Sequence, residues 1–216
     1  MRVAVCWHLS VFSAILLWAS CLVLSPAFAT ENDGAQPRQA LTISINRILN
    51  CIKHPDYVNP ATRAPLRWQI EDEVLHIFDF MEFSSRTVGQ RWRSFTPDQQ
   101  KRFGDAFAEL LISTYVNKIE GYNGEQVAYI GEMTSGDRVE VRTFITMKDG
   151  KKVPVSYRML PKDGIWRVYD VLIENISLVK NYRVQFQDIL NKTAPDNLIE
   201  RIRNKAHEVQ QQHESK

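Results

Sequence analysis

Cysteine is scarce in this chain: three residues among 216, at Cys6, Cys21 and Cys51. No Cys-x-x-Cys pair occurs, which excludes a dithiol redox centre and a zinc ribbon. Serine nucleophile elbows, Walker loops, Gly-x-Gly-x-x-Gly turns and His-Glu-x-x-His helices are also missing, so the common hydrolase, nucleotide-binding and metalloprotease signatures are excluded. His54, His76, His207 and His213 pair at no metal-ligand spacing, and neither a metal nor a cofactor is expected. Charge of one sign is not in excess either. Lys+Arg is 27 against 25 for Asp+Glu, a formal +2. A nucleic-acid binder carries a stronger, clustered basic surplus, and no run of like charges long enough to count as one is present. Nine glycines and nine prolines are too few for a collagen or a low-complexity chain. No internal repeat of solenoid length runs through the sequence.

What is present begins with one long apolar run. Met1-Arg2 gives a short positive start, the run is densest between Val11 and Leu24, and Pro26 precedes Ala27-Phe28-Ala29, a small-x-small site of the kind a signal peptidase reads. Residues 1–29 are expected to be a cleaved signal peptide, and the chain to be exported. The other reading is a retained membrane anchor, against which His8, Ser10 and Ser13 interrupt the span. Cleavage removes Cys6 and Cys21, and Cys51 alone cannot close an internal disulfide. The exported chain must then be held by core burial, which 44% apolar and 24% charged residues permit. One domain is expected over residues 40–209, followed by a frayed polar tail, 210–216.

Leu41, Ile45, Ile48, Leu49 and Ile52 recur at helical spacing. After a connection holding Pro55 and Pro60, the residues Val74, Leu75, Ile77, Phe78 and Met81 predict a second helix with a wide apolar stripe. Thr96-Pro97-Asp98-Gln99 is a capping box, with proline where a missing N–H costs nothing and an acid at the positive end of the helix dipole. Phe103, Phe107, Leu110, Leu111, Tyr115 and Ile119 form one face of that third helix, and Gly121 and Gly124 are its expected stop. The period then drops to two. Residues 126–130 predict a strand. Val139, Val141, Ile145 and Met147 alternate with Glu140, Arg142 and Thr146, and Val153, Val155, Tyr157 and Met159 alternate on the next strand, with Asp149-Gly150 as the hairpin turn between them. A second turn, Asp163-Gly164, leads into a strand over 165–173 that is apolar on both faces: Trp166, Val168 and Leu172 on one, Tyr169, Val171 and Ile173 on the other. Helix returns with Leu178, Val179, Tyr182, Phe186, Ile189 and Leu190, and again with Leu198, Ile199 and Ile202. This order predicts an α+β fold, an antiparallel meander of about four strands cupped by about five helices.

Two carboxylates sit in apolar settings, Asp79 in the helical stripe and Asp170 between Tyr169 and Val171. Each fits a general base acting on a hydrophobic substrate in a cup-like fold. The preferred reading of each is a buried acid held by backbone amides or by an arginine such as Arg183. Asn175-Ile176-Ser177 and Asn191-Lys192-Thr193 match the glycosylation pattern, which matters only on a eukaryotic secretory route. The larger signal is apolar and aromatic side chains spread over helices and sheet. Periodicity cannot distinguish a filled core from one with a slot for a ligand, and a curved sheet cupped by helices is an architecture that leaves such a slot.

Phe95-Thr96-Pro97-Asp98-Gln99-Gln100, the Phe103 and Phe107 pair, Tyr122-Asn123-Gly124, Trp166-Arg167-Val168-Tyr169-Asp170-Val171 and Ser177-Leu178-Val179-Lys180-Asn181-Tyr182-Arg183-Val184-Gln185-Phe186 follow one another in this order. The set resembles the MlaC family, also called the toluene-tolerance auxiliary family, of bacterial ABC transport systems. The resemblance covers residues 41–203, and its most specific part is the strand over 166–171 followed by the helix over 177–186. It implies a periplasmic carrier without enzymatic activity, with a nuclear-transport-factor-like fold and a deep pocket. That pocket would hold the acyl tails of a phospholipid as cargo, with the head group near solvent and no cofactor. The implied partners are the phospholipid, an outer-membrane lipoprotein–porin complex and an inner-membrane ABC transporter with an MCE-domain subunit, and no nucleic acid. One stretch departs from the pattern: Ser84-Ser85-Arg86-Thr87 is more polar than the small apolar residues the family usually carries there. On this resemblance, Val74, Phe78, Met81, Phe107, Leu111 and Tyr115 are expected to line the tail pocket from the helices, and Val141, Ile145, Val155, Tyr157 and Trp166 from the sheet. A hopanoid or another isoprenoid is the alternative cargo, because an apolar slot does not name its guest.

Overall fold

Proline stands in the first two positions of five helices, where its fixed φ is already helical and its missing N–H would be unpaired in any case. The structure, a computed structural model, describes residues 36–120, 126–147 and 149–214. The segment expected to be a signal peptide lies outside the described residues, as do Gly121, Gly124 and the Tyr122-Asn123-Gly124 motif. In chain order come α1 (Pro37–Ile52), α2 (Pro55–Val58), α3 (Ala64–Ile77), α4 (Phe80–Val88), a 3-10 turn (Gly89–Ser94) and α5 (Pro97–Glu120). Then follow β1 (Gln126–Ser135), β2 (Arg138–Thr146), β3 (Lys152–Lys162), β4 (Ile165–Ile173), β5 (Ile176–Ser177), α6 (Leu178–Leu190) and α7 (Pro195–Glu214). The class is α+β as predicted. The strands form one antiparallel sheet in the order β1-β2-β3-β4-β5. Among the described residues no helix is long and apolar enough to cross a membrane.

Two helices are divided where the apolar spacing suggested one. The stripe from Val74 to Met81 breaks at Phe78, whose backbone is extended (φ −91, ψ 140) and bridges β4 at Val168. The Asp79 N–H donates to the Val168 carbonyl at 2.9 Å. The Asp79 side chain then caps α4 by accepting from the Glu82 N–H at 3.0 Å. Asp79 and Glu82 stand three apart in the manner of a capping box, a signal hidden by the continuous apolar pattern. At the other end of the chain, the expected tail is helical as far as Glu214. Its Gln and Glu residues are good helix formers and nothing in it breaks a helix.

β4 corrects the predicted alternation. Arg158 pairs with Asp170, but Met159 pairs with Val168, so Tyr169 is an extra residue on β4. This bulge reverses the faces downstream of it. Val168, Val171 and Ile173 share one face through Met159, Tyr157 and Val155, and Leu172 joins Asp170 on the other. The turn before β4 is as the sequence suggests: Asp163 and Gly164 both have positive φ (53° and 79°), the requirement of a tight two-residue hairpin.

The main core lies between the sheet and α4–α7. Phe83, Phe103, Phe107, Val141, Met159 and Val168 are completely buried in it. Burying each such phenylalanine contributes about 2–3 kcal/mol. Phe186 of α6 meets Phe103 and Phe107 edge-on, at centroid distances of 5.5 and 5.3 Å. A smaller cluster, Ile52, Tyr57, Ile70 and Val116, ties α1–α3 to α5. The polar stretch after Phe83 is folded inward: Ser84 and Thr87 are fully buried.

Candidate functional site

Partners across an antiparallel ladder share a face, so the register defines one wall of the interior. Its rows are Val127–Ile145–Val153, Tyr129–Thr143–Val155–Ile173, Val141–Tyr157–Val171 and Val139–Met159–Val168. The row Val139–Met159–Val168 is filled core, whereas Val127, Tyr129, Ile145, Val153, Tyr157 and Ile173 are only half-buried. Tyr157 is half-buried, and burial pushes its hydroxyl well above the ordinary tyrosine value. Tyr115 of α5 and Tyr182 of α6 hydrogen-bond through their hydroxyls on the helix side, and burial raises both. Tyr129, Tyr157, Tyr115 and Tyr182 all pack half-buried against the main core, as do Ile145, Val153 and Ile173. The arrangement is a half-buried apolar face, between the sheet and α5–α6, that carries a few hydroxyls.

The expected lining residues divide into three groups. Phe107, Leu111, Val141 and Val155 are buried in the main core, and Phe78, Tyr115, Ile145, Tyr157 and Trp166 pack half-buried against it. Val74 is elsewhere. It belongs to the smaller cluster with Ile48, Cys51, Leu66 and Ile112, because the break at Phe78 turns α3 away from α4. Met81 is 41% exposed, and its sulfur lies where a Cβ on Gly104 would stand, 2.7 Å away. That glycine lets α4 approach α5 closely. Tyr129, Val153 and Tyr182 share this half-buried face and were not among the expected lining. Tyr129 lies on the edge strand β1, where the register shows it facing inward, and Val153 lies near the start of the central strand β3, on the face its alternation with Val155 and Tyr157 predicts.

The two carboxylates are held by structural donors. Asp79 caps α4 and accepts from Lys162 Nζ at 2.6 Å. Asp170 accepts from Ser177 Oγ at 2.7 Å, from the Val179 N–H at 3.0 Å and from Arg158 at 3.3 Å. The arginine is therefore Arg158, not Arg183, which instead donates to the Arg86 carbonyl at 2.8 Å. Arg158 also binds Glu140 at 3.0 Å, and the group lies on the sheet face opposite Tyr157. Cys51 is a half-buried free thiol, raised by burial and by Glu73. It suits packing rather than nucleophilic chemistry.

A separate cleft of about 160 Å³ opens between α1, α3 and the start of β4, with Ile43, Ser44, Arg47, His76, Ile77 and Trp166 in its walls. A cavity of about 150 Å³ holds one benzene ring, so this cleft is too small for two acyl chains.

Residues 43–204 match the family model described as MlaC protein. A curated relative from Haemophilus influenzae, the intermembrane phospholipid transport system binding protein MlaC, is 25% identical over 146 residues, which are 65% of this chain and 68% of the relative. Toluene tolerance protein ttg2D of Pseudomonas putida is 30% identical over 105 residues, which are 48% of this chain and 49% of that protein. In three dimensions the chain is similar to the phospholipid-binding protein of Ralstonia solanacearum, solved in complex with a phospholipid. The TM-score is 0.72 at 26% identity, over 81% of this chain and 99% of that one.

Proposed function

The chain belongs to the MlaC family, and from that premise we propose that it is a periplasmic phospholipid carrier. Its acyl-tail site is the chamber between the sheet and α5–α6. It collects or delivers lipid at an outer-membrane lipoprotein–porin complex and at the MCE-domain subunit of an inner-membrane ABC transporter. The observation that carries this reading is the group of half-buried side chains, Tyr129, Ile145, Val153, Tyr157 and Ile173 on the sheet with Tyr115 and Tyr182 on the helices, packed against the main core.

The physical chemistry supports a chamber without catalytic groups. A methylene leaves water with a gain of about 0.8 kcal/mol, so a chain of roughly sixteen carbons is held in a membrane by about 13 kcal/mol. A carrier must replace that environment with an equally dry one. Ile145, Val153, Tyr157 and Ile173, half-buried against the main core, supply it. Release at a partner then requires the chamber to open there, which shifts the balance between closed and open forms. Asp79 and Asp170 are engaged in capping and ion pairing, and neither is needed for transfer.

Donor and acceptor vesicles of phosphatidylglycerol and phosphatidylethanolamine, with a fluorescent phospholipid in the donor, test this reading. The purified chain is expected to speed transfer at least about tenfold over the spontaneous rate, in proportion to its concentration, because the chamber replaces passage of bare tails through water. Transfer at the spontaneous rate at every concentration would count against a carrier.

A further inference from the structure

The two edges of the sheet are finished differently. β5 closes one of them with two residues that lead straight into α6. β1 leaves the other open. It is 10 residues long, and among the described residues no backbone hydrogen bond joins it to anything but β2. An open edge offers a row of unpaired N–H and C=O groups, and native proteins usually blunt it with lysine, proline or a very short strand. β1 has none of these. Its one charged side chain is Glu132, and two large apolar ones lie bare, Ile130 at 49% and Met133 at 54% exposure. After the bulge between Tyr129 and Gly131, the pairing with β2 runs regularly to Ser135.

The neighbouring strand adds a charge. Arg142 on β2 is exposed and forms no ion pair among the described residues. It pairs with Gly131, and its Nη2 lies 3.6 Å from where a Cβ on Gly131 would stand. The missing side chain lets the guanidinium lie across β1 toward the edge. Glu140, two residues along the same face, is already taken by Arg158. A free fork of donors beside an open strand fits an extended chain that brings its own carboxylate. We infer that β1 is a docking edge for a partner polypeptide. An extended acidic segment of that partner adds beside β1 and prolongs the sheet. It seats an aspartate or glutamate on Arg142 and lays apolar side chains against Ile130 and Met133. A second copy of this chain does not supply that carboxylate. Glu132 pairs with Val141 and so lies on the face opposite Arg142. Antiparallel pairing of two β1 strands in one continuous sheet keeps those faces apart, so no Glu132 meets an Arg142 across the seam.

The inference does not depend on the carrier reading. Its test is an NMR titration of the purified chain with two seven-residue peptides of threonine alternating with valine, one with aspartate in the central position and one with lysine. The aspartate peptide is expected to move the amide signals of β1. It is also expected to bind about fivefold more tightly than the lysine peptide, the difference between one exposed ion pair and one like-charge contact. Arg142→Glu changes an exposed side chain and is expected to reverse the preference. Unmoved β1 signals, equal affinity for the two peptides, or an unchanged order with Arg142→Glu overturns the inference. So does a doubled mass in sedimentation at the titration concentration, which would put a second copy on the edge. None of these outcomes alters the lipid content of the chain, by which the carrier reading is tested separately.

Discussion

Val155→Arg is expected to leave the chain folded and nearly empty of phospholipid. Val155 is 5% exposed and lies on the inner sheet face between Thr143 and Ile173, one row from Tyr157. An arginine there either places a charge in the chamber or fills the chamber with its stem. Burying an unpaired charge costs several kcal/mol, and bringing acyl tails against it costs as much again. Each 1.4 kcal/mol is a factor of ten in affinity, so bound lipid is expected to fall below about a tenth of the wild-type amount. Ile145→Arg tests the same wall from a half-buried position where the stem can reach solvent, and the same loss is expected. Leu111→Arg tests the opposite wall, on α5. Phosphorus analysis of purified protein, with circular dichroism as the folding control, reads all three. A folded Val155→Arg or Ile145→Arg chain with wild-type lipid content would remove those residues from the site.

Asp170→Ala is expected to be the most destabilising single substitution on the outer sheet face. The carboxylate is 2% exposed. It receives the Ser177 hydroxyl, the Val179 N–H in the first turn of α6, and one arm of Arg158. Ser177 in turn caps α6 by accepting from the Lys180 N–H at 3.1 Å. Removing the carboxylate orphans a helix N–H and a hydroxyl and leaves Arg158 with Glu140 alone. Breaking a buried pair by deleting one partner costs about 3–5 kcal/mol. For a chain of this size that lowers the unfolding midpoint by about 10 °C. Asp170→Asn keeps one acceptor oxygen and is expected to lose less than half as much. Calorimetry of the two variants checks the order. A midpoint for Asp170→Ala within about 2 °C of wild type, which corresponds to less than about 1 kcal/mol, would contradict the role given to this acid. A large shift would also anchor α6, which carries Tyr182 and Phe186 into the core.

Local chemistry was readable wherever one short rule governed the backbone. The capping box at Thr96 is realised in both directions: the Gln99 N–H donates to Thr96 Oγ1 at 3.1 Å, and Gln99 Oε1 accepts from the Thr96 N–H at 3.0 Å. Asp149-Gly150 and Asp163-Gly164 turn the chain where they were expected to. Tertiary pairing was not readable in the same way. Phe78 leaves the helix because a bridge to Val168 competes with one more helical turn, and no local pattern contains Val168. The bulge at Tyr169 inserts one residue into an otherwise even alternation, so Val168 and Val171 point the same way although they are three apart. The short β5 hairpin was missed because Glu174 and Asn175 adopt positive φ (50° and 67°) without a glycine to announce it.

The candidate site was readable to the same extent. Helical faces named Phe107, Leu111 and Tyr115, and alternation named Val141, Ile145, Val155 and Tyr157, because one face of each element had to be buried. Val74 followed the same rule but is buried in a different cluster. Sequence pattern reports that a side chain leaves water, not which interior it enters.

The most direct test of the account is organic extraction of the chain purified from the periplasm without added lipid, followed by mass spectrometry of the extract. The account predicts glycerophospholipid close to one molecule per chain. A folded chain that yields no lipid, or only a polar small molecule, would contradict it.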